Sequence, residues 1–321
     1  MQDETMLRTD ERAEAAFELR KANFPNEIVF HTPGLKQYQT SEYTKHNSRE
    51  FVAVSLTGTD CALNCKHCGK VLLRGMLNLK KFQGSLFEMC RKLSEDGAKG
   101  VLISGGSDRA GSVPLLKFIP DLARVKKELG LTVRVHPGLI DDETCSALRE
   151  ANIDGVMFDV IGDRQTIREV YGLEKEPEDY EAVLARLEKY ELPCVPHVVI
   201  GHYFGKLKGE LNALEMVRRH PPKMLVLVVL MAVAGTEMAE IAPPTIQDIE
   251  EIFFAARTML PETLIGLGCA RPIGEVKKQI DRSAIDMGLN SIAYPTEGMV
   301  KYAESKGLQA RFINACCGVN W

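Results

Sequence analysis

A (βα)8 barrel of the TIM type is the fold this sequence predicts, on three observations: eight short β-rich runs, amphipathic helical stretches between them, and a length that one barrel fills. The runs are FVAVSLT (51–57), KGVLIS (99–104), LTVRVH (131–136), DGVMFDV (154–160), CVPHVVI (194–200), MLVLVVL (224–230), TLIGLG (263–268) and LNSIAY (289–294). Several are apolar almost throughout, as strands of a parallel sheet covered on both faces must be. Between them, SLFEMCRKLSEDG, DDETCSALREAN, PEDYEAVLARLEKY and TIQDIEEIFFAARTML space apolar residues three or four apart. Such alternation implies right-handed βαβ units, and eight of them close a barrel. A partial (βα)6 barrel followed by a separate C-terminal piece is the alternative.

Ahead of the first run, residues 9–22 have the charge and alanine content of a helix, and residues 23–50 are polar and punctuated by Pro and Gly. The expected organisation is an N-terminal extension (1–50), a barrel (51–306) and a C-terminal tail (307–321). Composition is that of a globular chain, 45% hydrophobic and 26% charged, with no apolar run long enough for a bilayer. A net charge of −4 argues against a general nucleic-acid binder. The charged start lacks the apolar core of a secretory signal, so a cytoplasmic protein is expected. In that reducing compartment nine cysteines read as metal or redox chemistry better than as disulfides.

Directly after the first run, SLTGTDCALNCKHCGK sets Cys61, Cys65 and Cys68 in the spacing C-x3-C-x2-C. In a (βα) barrel the active site is built from loops at the C-terminal ends of the strands, which is where this loop falls. Three thiolates on a short loop can hold three irons of a [4Fe–4S] cube and leave the fourth open. Tetrahedral zinc is the alternative, with His67 as a fourth ligand, although His67 is cramped inside the triplet.

The triplet resembles the signature of the radical S-adenosylmethionine (SAM) superfamily. That resemblance implies a [4Fe–4S] cluster on Cys61, Cys65 and Cys68 whose open iron is chelated by SAM. It also implies cofactor contacts. Gly105–Gly106, in VLISGGSDRAG, matches the glycine pair that meets the methionyl amino group. Asp159, ending the fourth run, is a candidate acceptor for ribose hydroxyls, with a helix cap as the alternative. Ile200 and Gly201 match the region whose backbone packs along the adenine.

Of the other cysteines, Cys90 and Cys145 sit within amphipathic helices as small hydrophobes, and Cys194 opens a strand. Cys269 follows the seventh run, and Cys316–Cys317 lie near the chain end; together they could bind an auxiliary iron–sulfur cluster, the alternative being incidental thiols. GLGCARP and GLNSIAYPTEG are similar to the end of the biotin synthase barrel, and Arg271 matches its arginine approximately. A biotin synthase fifth-strand cysteine would fall near Val195, one position from Cys194, and a one-residue shift turns a side chain to the other face. The chain more closely resembles the biotin-synthase-like proteins that work as a two-protein lipoyl synthase in archaea. That implies radical-driven sulfur insertion into an octanoyl-lysine arm, with an octanoylated lipoyl carrier protein, a sister radical SAM protein and an electron donor as partners. Biotin synthase or another radical SAM enzyme acting on a small molecule is the alternative, and a metal-binding regulatory or scaffold protein is the non-enzymatic one.

Overall fold

The computed structural model describes residues 9–33, 38–44 and 50–319. Its strands are β1 (Glu27–His31), β2 (Gln39–Thr40), β3 (Tyr43–Thr44), β4 (Phe51–Ser55), β5 (Leu77–Asn78), β6 (Gly100–Ser104), β7 (Thr132–Val135), β8 (Gly155–Asp159), β9 (Cys194–Ile200), β10 (Met224–Val229), β11 (Leu264–Leu267), β12 (Ser291–Ala293) and β13 (Gln309–Ile313). Each of the eight predicted runs contains a strand, and these eight are consecutive neighbours in one parallel sheet, β4-β6-β7-β8-β9-β10-β11-β12.

The closed eight-stranded count is corrected. The sheet has eleven strands in the order β13-β1-β12-β11-β10-β9-β8-β7-β6-β4-β5. β1 inserts between β12 and β13, parallel to both, so segments 27–31 and 309–313 belong to the barrel sheet. Among the described residues no ladder joins β13 to β4. Side chains cross this seam instead: Asn314 donates to the Glu50 carboxylate at 3.1 Å, and Phe51 packs in one cluster with Ile313 and Ala315. The architecture is an open, barrel-like α/β sheet.

Period-two alternation explains both layers. Val101, Val133, Val156, Phe158, Val198, Leu225 and Leu227 point outward into the core beneath the helices. Phe51, Met157, Val195, Met224 and Val226 point inward. The helices form where the sequence carries an apolar stripe and a start signal. Ser85, for example, caps Leu86–Glu95 in a reciprocal pair with Glu88.

What fills the interior is the segment that follows β13. After β13, residues 314–319 turn inward, and Ala315, Cys316, Cys317 and Val319 are buried among the inward side chains. Asn314 anchors the turn by accepting from Thr32 at 2.6 Å and from the Tyr43 hydroxyl. Glycine makes the room: a Cβ on Gly318 would sit 2.4 Å from Met157 Cε, and one on Gly266 would sit 2.5 Å from Ser291 Oγ. Among the described residues no helix is long and apolar enough to cross a membrane.

Candidate active site

The loop after β4 is tied to the end of β6 by its backbone. Ala62 donates to the Ser107 carbonyl at 2.7 Å, the Ser107 amide donates to Cys61 Sγ at 3.3 Å, and the Gly106 amide donates to Thr57 Oγ1 at 2.7 Å. Downstream, the amides of Cys68 and Gly69 both donate to the Cys65 carbonyl, at 3.0 and 2.8 Å, and wind the loop into a turn. Cys61, Cys65 and Cys68 thereby line one open cleft of about 800 Å³, together with Gly105, Gly106 and Asp159.

The thiols are held where charge is costly. Burial, then the neighbouring Cys68 and Cys61, push Cys65 up to about 12, and burial also raises Cys68. Three crowded thiolates therefore need a cation to compensate them, which is what iron provides. Among the described residues no three His, Cys, Asp or Glu side chains gather closely enough for a single metal ion. Cluster ligation spreads the thiolates around a larger body, and the donor set fits it.

Gly106 is required by close approach: a Cβ there would lie 2.0 Å from the Asp60 carbonyl and 2.5 Å from Cys61 Cβ. Gly105 is freer, its nearest neighbour being Thr57 Oγ1 at 3.0 Å. Asp159 ends β8 with Oδ1 3.5 Å from His136 Nε2. Burial raises its carboxyl, but His136 and His197 outweigh that and hold it well below the usual range. The cap of the following helix is Asp163, which accepts from the Thr166 amide at 2.7 Å.

His67 belongs to a ring cluster, 5.0 Å from Tyr171 and 4.6 Å from His202 between centroids. Burial drives His67 down to about 4, so it stays neutral, and its Nδ1 is buried without a protein partner. Ile200 and Gly201 are placed differently from the cleft residues. Ile200 faces the outer core, while Gly201, at φ +76°, packs under the Pro244 ring and donates to Glu210 at 2.8 Å.

The remaining cysteines separate by face. Cys90 and Cys145 are fully buried in helices, and Cys194 points outward whereas Val195 points inward. Cys269, Cys316 and Cys317 come together inside the barrel. The sulfurs of Cys316 and Cys317 are 3.9 Å apart, and Cys317 also hydrogen-bonds Cys269. These contacts couple the two thiols, lowering Cys316 and raising Cys317.

One feature escapes a sequence reading. Arg134 and His136 sit on alternate, inward positions of an otherwise apolar run, and that break in polarity is the signal that could have flagged them. Arg271 is not free to serve a cofactor. It is fully buried, pairs with Asp281 at 2.7 Å and donates to the Gly268 and Tyr294 carbonyls.

No protein-family model matches the chain. It is 25% identical over 313 residues to a biotin synthase of Methylococcus capsulatus, covering 91% of this chain and 88% of that protein. A biotin synthase of Ruthia magnifica subsp. Calyptogena magnifica is 25% identical over 174 residues, 52% of each chain. Among solved structures, methylornithine synthase superposes with a TM-score of 0.60 at 15% identity, covering 96% of this chain and 91% of that one. HydG, a maturase of the [FeFe]-hydrogenase, gives 0.65 at 14% identity, covering 98% of this chain and 70% of that one. Those structures share the fold. The chain is thus similar to a biotin synthase along 91% of its length, and it shares its fold with methylornithine synthase and HydG.

Proposed function

We propose that the chain is a sulfur-inserting radical SAM enzyme, one component of a two-protein lipoyl synthase acting on an octanoyl-lysine arm of a lipoyl carrier protein. The observation that carries this reading is the meeting of Cys269, Cys316 and Cys317 inside the barrel, apart from the triplet that lines the cleft. One cysteine set would generate the radical and the other would supply sulfur.

Cys61, Cys65 and Cys68 would hold the first [4Fe–4S] cluster, which when bound supplies the electron that splits SAM into methionine and a 5′-deoxyadenosyl radical. Gly105–Gly106 would admit the methionyl end of SAM to the backbone, and ionised Asp159 would accept from its ribose hydroxyls. His136 lines the cleft and lies within electrostatic reach of Cys316, so it borders both sites. An unactivated C–H bond offers no acidic proton, which is why the chain's own residues position and shield rather than act as acid or base. The partners would be the octanoylated carrier, a sister radical SAM protein and an electron donor.

Turnover of an octanoylated carrier peptide with SAM and reductant, with and without the sister protein, tests the proposal by mass spectrometry. A gain of one sulfur is expected; 5′-deoxyadenosine without sulfur in the product rejects it. Sulfur insertion into a small molecule of the biotin synthase type is a second reading, favoured by the likeness along 91% of the chain. Biotin's sulfur-free precursor, offered in place of the peptide, discriminates the two.

A further inference from the structure

Because all the barrel strands are parallel, their starts lie together at the end opposite the cysteine loop. There a second cleft of about 1360 Å³ opens, and Arg134, Val195, Met224, Leu264 and Gly318 are among its lining residues. Val195 and Met224 belong to the same apolar cluster as Cys316 and Cys317, with Leu264 packed against it, and Gly318 is the residue after Cys317. The cleft therefore ends one residue layer from the interior cysteines. The upper cleft is lined by Cys61, Cys65 and Cys68 instead.

Arg134 puts a cation at this inner end, with Asp154 within its electrostatic reach. Its Nε is buried with no hydrogen-bond partner. The guanidinium is accommodated by glycine: Nη1 lies 2.0 Å from where a Cβ of Gly155 would be. Arginine cannot shed its charge, so a buried N–H aimed at no acceptor favours an anion. Cys316 is within its electrostatic reach.

We infer that the lower cleft is a small-anion site through which hydrosulfide reaches Cys316 and Cys317, independently of the upper cleft that SAM and substrate would fill. This rests on the reading that these cysteines carry a sulfur source that is consumed and must be renewed. Arg134 draws the anion in, its charge set against Glu188 and Glu191, which line the same cleft together with His220 and Lys223. Binding and passage involve no bond change.

The test uses the full-length, metal-free chain and two alkylating probes with the same leaving group, anionic iodoacetate and neutral iodoacetamide. In each reaction a thiolate forms the C–S bond and iodide departs, and peptide mass spectrometry reads every cysteine separately. Arg134→Gln should slow iodoacetate at Cys316 roughly ten-fold while leaving iodoacetamide unchanged, and Arg134→Lys should restore the iodoacetate rate. Leu264→Trp, filling the cleft, should slow both probes at Cys316 and Cys317 but not at Cys61, Cys65 or Cys68, whose unchanged rates show that the fold survives. Equal iodoacetate rates in wild type and Arg134→Gln, or unchanged labelling of Cys316 and Cys317 in Leu264→Trp, would overturn the inference. Turnover is scored separately. Absence of sulfur insertion with this labelling pattern intact defeats the proposed function, whereas normal insertion without the pattern defeats the lower route.

Discussion

At the scale of single residues, the cleft depends on how closely two backbone segments approach. A Cβ on Gly106 would sit only 2.0 Å from the Asp60 carbonyl, a clash with backbone, whereas one on Gly105 would sit 3.0 Å from a side-chain oxygen. Gly106→Ala should therefore cost about 1–3 kcal/mol and displace the Cys61 loop, with Gly105→Ala milder. Denaturant unfolding and iron quantitation on both variants check this; equal effects would contradict it. His136 and Asp159 offer a second check. Burial pulls the His136 imidazole down, but Asp159 opposes it and prevails, so His136 titrates above its ordinary 6.5. Its stabilisation is complete below the unfolded value and is lost as pH rises through the raised one. Asp159, held low, contributes above the ordinary carboxylate range and loses that contribution only as pH falls through its depressed value. Asp159→Asn should lower the pKa of His136, because burial is then opposed only by Cys316. An NMR titration of the imidazole showing no change would reject the pairing.

Among the elements, the turn after β11 carries a fully buried ion pair. Arg271 and Asp281 are both fully buried, and Asp281 also accepts from the Thr296 amide at 2.7 Å. The pair fastens this turn and the segment after β12 to the helix Glu275–Asp286. Removing one partner strands a buried charge, so Asp281→Leu should destabilise by about 3–5 kcal/mol, and adding Arg271→Met should recover part of it. Urea denaturation of the single and double variants measures this. A double variant less stable than the single would show that the carbonyl contacts of Arg271, not the charge pair, dominate.

For the whole molecule, the consequential feature is that the last described residues lie inside the sheet that the first strands help to build. If both cysteine sets hold [4Fe–4S] clusters, the reconstituted chain should carry about eight irons, and Cys316→Ala/Cys317→Ala about four, with sulfide in parallel. The double variant should still form 5′-deoxyadenosine, since the Cys61 triplet is untouched, while losing sulfur transfer. Retention of about eight irons would remove the auxiliary set from consideration.

The sequence by itself determined the eight core strands, because parallel strands buried on both faces must be apolar runs, and it placed Cys61, Cys65, Cys68, Gly105, Gly106 and Asp159 at the ends where they share a cleft. It also showed that Cys194 and Val195 must face opposite ways, since alternation is a local property of the strand. Tertiary structure alone decided that the sheet stays open and that β1 and β13 extend it. Both are five residues long with partly exposed or polar positions, and no helical pattern marks β1 as part of a βα unit. It alone brought Cys316 and Cys317, nearly fifty residues beyond Cys269 in the chain, to that cysteine inside the barrel. Such a meeting depends on the path of the backbone and on bare glycine faces at Gly266 and Gly318, which have no periodic signature.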